Sequence, residues 1–434
     1  MMAPVIGFAG MTHLGINSAA AAAARGCHTV WFDPDRALMG RLESGELPVV
    51  EPGLAELVKA NRERISFASD AKGLGGCLVV YIACDVPTDE RGDSDLAPVR
   101  RLIDTVSASL ARDAVLVVLC QVPPGFTRAL EWPAAQRYYQ VETLVFGRAV
   151  ERAMHPERFI VGCADPAAAL PGPYRGFLEA FGCPVLPMRY ESAELAKIAI
   201  NCCLVASVTV ANTLAELSEP IGADWNEIVP ALRLDRRIGQ HAYLAPGLGL
   251  AGGNLERDLA TVLRLAGDTG AEAGLIRSFV DNSRHCRDWA LRMLHRELLA
   301  ATPDAVIAVL GLAYKENTDS TRNSPALALI QHLKPWRLRV HDPVVRTREA
   351  VDHPRATGCA SPLEAAAQAD ALLVMTPWPE YRNLRPAELA RVMRGRIIVD
   401  PYRVFDAAVV AATGVDYFTL GVPPTRAGRN ARHA

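Results

Sequence analysis

Short apolar runs separated by helical or polar stretches organise the first 190 residues. The run "PVIGFAG" closes on a glycine and reads as a buried strand. The alanine-rich "HLGINSAAAAAARG" follows and ends at Gly26, the pattern of a helix with a C-terminal glycine. "HTVWFDPD" is a second strand with an acidic end, so the chain opens on a strand-turn-helix-strand unit. Further apolar runs recur at "CLVVYIAC", "AVLVVLC" and "RFIVG". Such alternation implies a parallel sheet with helices on both faces. From about Ser192 to Leu217 the pattern is apolar and lacks Gly and Pro, which predicts one long buried helix, with more helical sequence to about Leu299. Strand signals resume at "AVIAVLGLAY", "RLRVHDP", "ADALLVMTPW" and "RGRIIVDPYR". The expected layout is an α/β domain over 1–190, a helical middle over 191–299, a second α/β domain over 300–420 and a disordered tail over 421–434. In open α/β sheets ligands bind beyond the carboxyl ends of the strands, and a cleft between the two sheet domains is the expected site.

Composition narrows the partners. Of 434 residues, 50% are hydrophobic and 22% charged, enough to bury a large core. A net charge of -2 offers no global attraction to nucleic acid or to an anionic membrane, so an anionic ligand must be held by local groups. The ten cysteines form no CxxC pair, which fits free thiols in a reducing cytoplasm, and no metal site is expected. No uninterrupted apolar run approaches the roughly 18 residues that span a bilayer, and the Met-Met-Ala-Pro start is unlike a signal peptide. A cytoplasmic location is the expectation.

The turn after the first strand carries a dinucleotide signal. "GMTHLG" has the spacing of GxGxxG, with Gly10 for the tight turn, Gly15 for close helix packing, and Thr12 at the second glycine. Asp33 ends the next strand roughly 20 residues on, the place of a carboxylate that bonds a ribose hydroxyl. It favours NAD over NADP, because a 2′-phosphate would be repelled. Thr12 adds bulk where backbone normally approaches phosphate, though its hydroxyl can bond a phosphate oxygen. The bland alternative is an ordinary βαβ unit with glycine turns.

Several longer segments carry more specific information: "SGELPVVEPGLAEL", "ESAELAKIAIN", "RIGQHAYLAPGLGLAGGNLERD", "GLAYKENTDSTRNSP" and "DPYRVFD". In this order they make the chain resemble the UDP-glucose/GDP-mannose dehydrogenase family up to about Asp406. The resemblance implies two Rossmann-like doubly wound domains joined by a long central helix that usually dimerises. It also implies NAD, a nucleotide-sugar substrate (a UDP-sugar foremost), a homodimer and a place in polysaccharide biosynthesis. Members oxidise the sugar C6 alcohol to an acid by two hydride transfers, with a cysteine thiolate capturing the aldehyde. By resemblance Lys197 and Asn201 hold the reacting sugar; being four apart, they share a helix face. Asp258 matches the aspartate that helps a water take the alcohol proton. Its bland alternative is to cap the helix "LATVLRLA". Glu142 falls at the glutamate that activates the hydrolytic water. Arg237, Gly252, Lys315 and Arg403 match substrate contacts, and Val86, Gln121 and Arg322 match cofactor contacts. For each charged group alone, a surface salt bridge is the alternative.

The departure lies at Asn254, which occupies the position of the nucleophilic cysteine. An amide forms neither thiohemiacetal nor thioester. The family's threonine becomes Val86, and its serine-threonine pair becomes Cys120 and Gln121. Cys202 and Cys203 point away from the Asn201 face, leaving Cys120 as the substitute thiol worth examining. Three functions stay open: a dehydrogenase that stops at the aldehyde or oxidises its hydrate through Glu142 and water, a related redox step at another sugar carbon, and a non-catalytic nucleotide-sugar-binding relative.

Overall fold

The computed structural model describes residues 4–89 and 92–428, so Met1–Ala3 and the end of the tail lie outside the described residues. The chain divides into two compact units, Met1–Ile200 and Asn201–Ala434. The division falls inside the long helix Tyr190–Ile221.

The first unit is built on eight strands: β1 (Val5–Ala9), β2 (His28–Phe32), β3 (Ile65–Ala68), β4 (Val79–Ile82), β5 (Val115–Val118), β6 (Arg137–Gln140), β7 (Phe159–Cys163) and β8 (Val185–Arg189). They lie side by side in the order β3-β2-β1-β4-β5-β6-β7-β8. All neighbours are parallel except β6 and β7, a correction to the all-parallel expectation. Alternate residues feed two buried layers, Ile6, Phe8, Trp31 and Tyr81 on one face and Val80, Ile82, Leu116 and Val118 on the other. Burial on both faces is why β1, β4 and β5 read as continuous apolar runs. The order reverses between β1 and β4, and loops that diverge there open a crevice at the carboxyl ends.

The second unit repeats the plan with β9 (Val306–Leu310), β10 (Arg337–His341), β11 (Ala356–Gly358), β12 (Ala371–Val374), β13 (Ile397–Val399) and β14 (Asp416–Phe418). All are parallel, in the order β11-β10-β9-β12-β13-β14.

The long helix departs from expectation in two ways. It was expected to be buried, yet Val210, Leu214, Leu217 and Ile221 are exposed, at i, i+4, i+7 and i+11 on one face. By length and composition alone it could also cross a membrane, with a mean hydropathy of 1.8 over its most apolar stretch. The sequence reading missed this because Asn, Ser and Thr interrupt the apolar run without adding charge. The core helix of a folded domain passes the same test. The tail departs as well: Thr425 pairs with Tyr417, and Arg426 bonds Glu297 at 2.6 Å and Asp416 at 3.1 Å, so 421–428 is not free chain.

Candidate active site

β1 ends at Ala9, and the chain turns at Gly10 with φ +97°. A side chain at Gly10 would come within 2.7 Å of Cys84, and one at Gly15 within 1.9 Å of the Gly10 carbonyl oxygen. Packing therefore demands glycine at both positions. Asp33, just past β2, accepts from the Met11 N–H and the Asp35 N–H, each at 2.9 Å. Two donors leave a carboxylate with acceptor capacity to spare, which suits ribose hydroxyls.

Thr12 is otherwise engaged. Its hydroxyl oxygen accepts from the Asp85 N–H at 2.9 Å. Asp85 thereby sits beside the start of the helix His13–Ala24. Desolvation by the surrounding protein raises the Asp85 pKa, opposed by its neighbours Thr12 and His13. Val86 beside it is buried, and Gln121 beyond β5 is half-buried. The glycine turn and Asp33 thus fit the adenosine side of NAD, and the helix start beside them offers N–H groups suited to a pyrophosphate.

Glu51 organises the neighbouring loop. It bonds the His13 ring at 2.7 Å and accepts from the Gly147 N–H at 2.9 Å and the Ala149 N–H at 3.2 Å, while Phe146 stacks on His13. These contacts hold the segment that carries Glu142. Glu142 pairs with Lys197 at 2.8 Å, and the two side chains keep only 15% and 11% exposure. Glu194, wholly buried one turn earlier on the helix, accepts from the Gly125 N–H at 2.6 Å and the Thr127 N–H at 2.8 Å, fastening the loop after β5. Burial raises its pKa. Asp85, Glu51 and Glu194 escaped sequence reasoning. The available signal was an acid set among apolar neighbours, as in "IACDVP" and "ESAELA".

In the second unit Asn201 donates from its amide to Asp258 at 2.5 Å, and both residues are buried. The Arg257 Nε lies 3.6 Å from the other Asp258 oxygen, so an amide and a guanidinium flank the carboxylate. The helix spans Asn254–Thr269, so Asp258 stands inside it, not at its cap as the bland alternative had it. Gly252 and Gly253 both have positive φ. A side chain on Gly252 would strike the Tyr314 ring at 2.6 Å, and one on Gly253 the Arg322 Nε at 2.5 Å. The Gly252 N–H bonds the Arg322 carbonyl at 3.1 Å. Asn254, the first helical residue, is exposed.

The remaining predicted groups are engaged locally. Lys315 lies over the Tyr314 ring at 5.6 Å. Arg403 donates to Asp224 at 2.9 Å from a backbone with φ +53°, a left-handed conformation that costs a non-glycine residue on the order of 1–3 kcal/mol. Arg237 is exposed and bonds its near neighbour Asp235 at 2.6 Å. The candidate thiols do not serve. Cys120 is fully buried against Cys84 and the Ile82 carbonyl, and burial pushes its pKa well up; Cys202 is pushed to about 11. Neither is a thiolate at neutral pH.

Comparison with known proteins places the chain. Residues 5–172 match the NAD binding domain, 191–284 the central domain and 308–407 the UDP binding domain of the UDP-glucose/GDP-mannose dehydrogenase family. A UDP-glucose 6-dehydrogenase of Pseudomonas aeruginosa is 30% identical, over 96% of this chain and 97% of its own length. One of Rhizobium meliloti is 31% identical, over 95% and 98%. A UDP-glucose dehydrogenase structure from Pyrobaculum islandicum matches with a TM-score of 0.82 and 26% identity, covering 96% of this chain and 97% of that one. With all three domains matched in order along nearly its whole length, the chain belongs to the UDP-glucose/GDP-mannose dehydrogenase family, oxidoreductases that use NAD.

Proposed function

We propose that the protein oxidises a UDP-sugar at its C6 hydroxymethyl group and stops at the aldehyde. The observation that carries this reading is the buried pair of Asn201, on the long helix, with Asp258, on a helix whose first residue is Asn254. A proton acceptor for an alcohol is present, and the thiol needed to hold an aldehyde for a second oxidation is not.

NAD, when bound, supplies the hydride acceptor. Asp258, oriented by Asn201, takes the alcohol proton through a water. The Lys197 ammonium stabilises alkoxide charge, and Glu142 keeps that ammonium in place. Lys315 and Arg403 offer positive charge to the diphosphate. The exposed stripe Val210, Leu214, Leu217 and Ile221 supports a homodimer through the long helix.

Incubation with NAD and a panel of UDP- and GDP-sugars, following NADH and product mass, tests the reading. NADH with a C6 aldehyde from a UDP-sugar is expected. Sugar binding without NADH would favour the non-catalytic alternative, to which Asn254 also lends weight, and a changed ring carbon would favour a different redox step. Acid formation gained by Asn254→Cys would locate the missing chemistry at this position.

A further inference from the structure

Two cysteines meet beneath the first glycine turn, and neither the cofactor nor the sugar chemistry uses them. Cys84 and Cys120 lie two residues past the paired Ile82 and Val118, at the carboxyl ends of the neighbouring parallel strands β4 and β5. Side chains alternate along a strand, so both thiols stand on the face that Ile82 and Val118 share, and all four belong to one buried layer. Their sulfurs are 3.6 Å apart and hydrogen-bonded, and the Cys120 Sγ also lies 3.2 Å from the Ile82 carbonyl oxygen. Neighbouring strands run about 4.8 Å apart. That lies within the roughly 4.4–6.8 Å between α-carbons that a disulfide accepts, and closing the bond asks the sulfurs to approach by about 1.5 Å. The other thiols are placed differently. Cys163, Cys286 and Cys359 face oxygen acceptors, and Cys202 and Cys203, adjacent on the long helix, point to different sides.

We propose that Cys84 and Cys120 are an oxidative modification site, a dithiol that a hydroperoxide converts to a disulfide, stapling the ends of β4 and β5 beneath the cofactor turn. Cys84 reacts first, because it keeps 9% exposure while Cys120 has none. The hydrogen bond with Cys120 also lowers the Cys84 pKa, which favours the attacking thiolate. The Cys84 sulfur attacks one peroxide oxygen, the O–O bond breaks, and the released hydroxide takes up the thiol proton as water. The Cys120 sulfur then attacks the sulfenic acid left on Cys84. The S–S bond forms, the S–O bond breaks, and the hydroxyl leaves with the Cys120 proton as a second water. The two sulfurs together lose two electrons, and the peroxide gains them. In reducing compartments such bonds are transient and act as sensors of oxidant. The turn has no slack at this point: a side chain on Gly10 would lie 2.7 Å from the Cys84 Cβ, and the next N–H, that of Asp85, bonds the Thr12 hydroxyl oxygen at 2.9 Å. A Cys84 drawn toward Cys120 therefore pulls on the turn that faces the cofactor, a coupling that rests on the family's use of NAD.

The test treats the fully reduced protein with hydrogen peroxide and reads intact mass and tryptic peptides. The expected product is lighter than the reduced chain by two hydrogen atoms, with the peptide of Cys84 joined to that of Cys120 and the joint opened by dithiothreitol. The first of these peptides also carries Cys77, so fragmentation assigns the bond. Cys120→Ser is expected to lose the bridge and to gain one oxygen at Cys84 instead. A wild-type chain that gains only oxygen, a bridge that joins other cysteines, or an unreacted Cys84 overturns the proposal. Should the variant fold poorly, the wild-type peptide map decides unaided. Fluorescence titration with NADH then tests the coupling. The bridged protein is expected to bind NADH about tenfold more weakly than the reduced one, with affinity restored by dithiothreitol. Unchanged affinity with the bridge in place would overturn the coupling. Absence of NADH binding by the reduced protein would sink the coupling together with the NAD reading, while the bridge itself is judged by mass alone.

Discussion

At Gly10 and at Gly311 the backbone takes the same φ of +97°, and each glycine N–H reaches the carbonyl of the strand alongside, Phe32 at 2.9 Å and His341 at 2.8 Å. Each turn is followed by an aspartate at the end of the next strand, Asp33 after β2 and Asp342 after β10. From there the two diverge. Asp33 accepts from two backbone N–H groups. Asp342 accepts from the N–H groups of Leu312, Ala313, Val344 and Val345 and from the Trp378 indole. In the first unit a helix starts at His13, directly after the turn; in the second it starts only at Pro325, capped by Ser324. One architecture is thus used twice, once with acceptor capacity left over and once with that capacity spent on holding loops together. The same glycine turn thus carries an aspartate with free acceptor capacity in the first unit and one committed to loop packing in the second.

The sharpest way to break this comparison is to remove the two aspartates separately. Asp342→Ala strands five donors, and its thermal midpoint should fall by an amount corresponding to about 3 kcal/mol, with NADH affinity unchanged. A midpoint within a degree of wild type would show that the second carboxylate is not structural. Next in size is a pH effect confined to the scaffold of the second unit. Burial raises Glu219 from 4.5 to about 7 while it accepts from the Gly421 N–H. Its folded pKa lies above its unfolded one, so stability is greatest below pH 4.5 and declines up to about pH 7. The loss should be about 3 kcal/mol, and Glu219→Gln should flatten that slope in denaturant titrations across the range. Smallest is Asp33→Ala, which should weaken NADH binding about tenfold, near 1.4 kcal/mol, with little change in melting temperature. A large stability loss there would erase the distinction between the turns.

Much of this was readable from residue patterns. Strands buried on both faces, such as β1, β4 and β9, announce themselves as apolar runs, and the Gly10–Asp33 spacing marks the turn. β6 did not, because its sequence "RYYQ" places Arg137 and Gln140 in the interior on specific partners: Arg137 bonds the Leu130 carbonyl, and Gln140 accepts from Tyr81 and Tyr174. β11 and β14, at three residues each, are too short to show a period. At the site, family resemblance named Lys197, Glu142, Asn201 and Asp258, but only coordinates pair them two by two. Asp85 was invisible because a lone acid at the end of a strand looks like a loop residue until its hydrogen bonds are known.

The claim that Asn254 limits this enzyme to one oxidation is tested most directly by stoichiometry. UDP-sugar would be converted to completion with excess NAD, and NADH counted against sugar consumed. One NADH per sugar, with the C6 aldehyde recovered by mass, is the predicted result; two NADH per sugar and a uronic acid from the unaltered protein would contradict it.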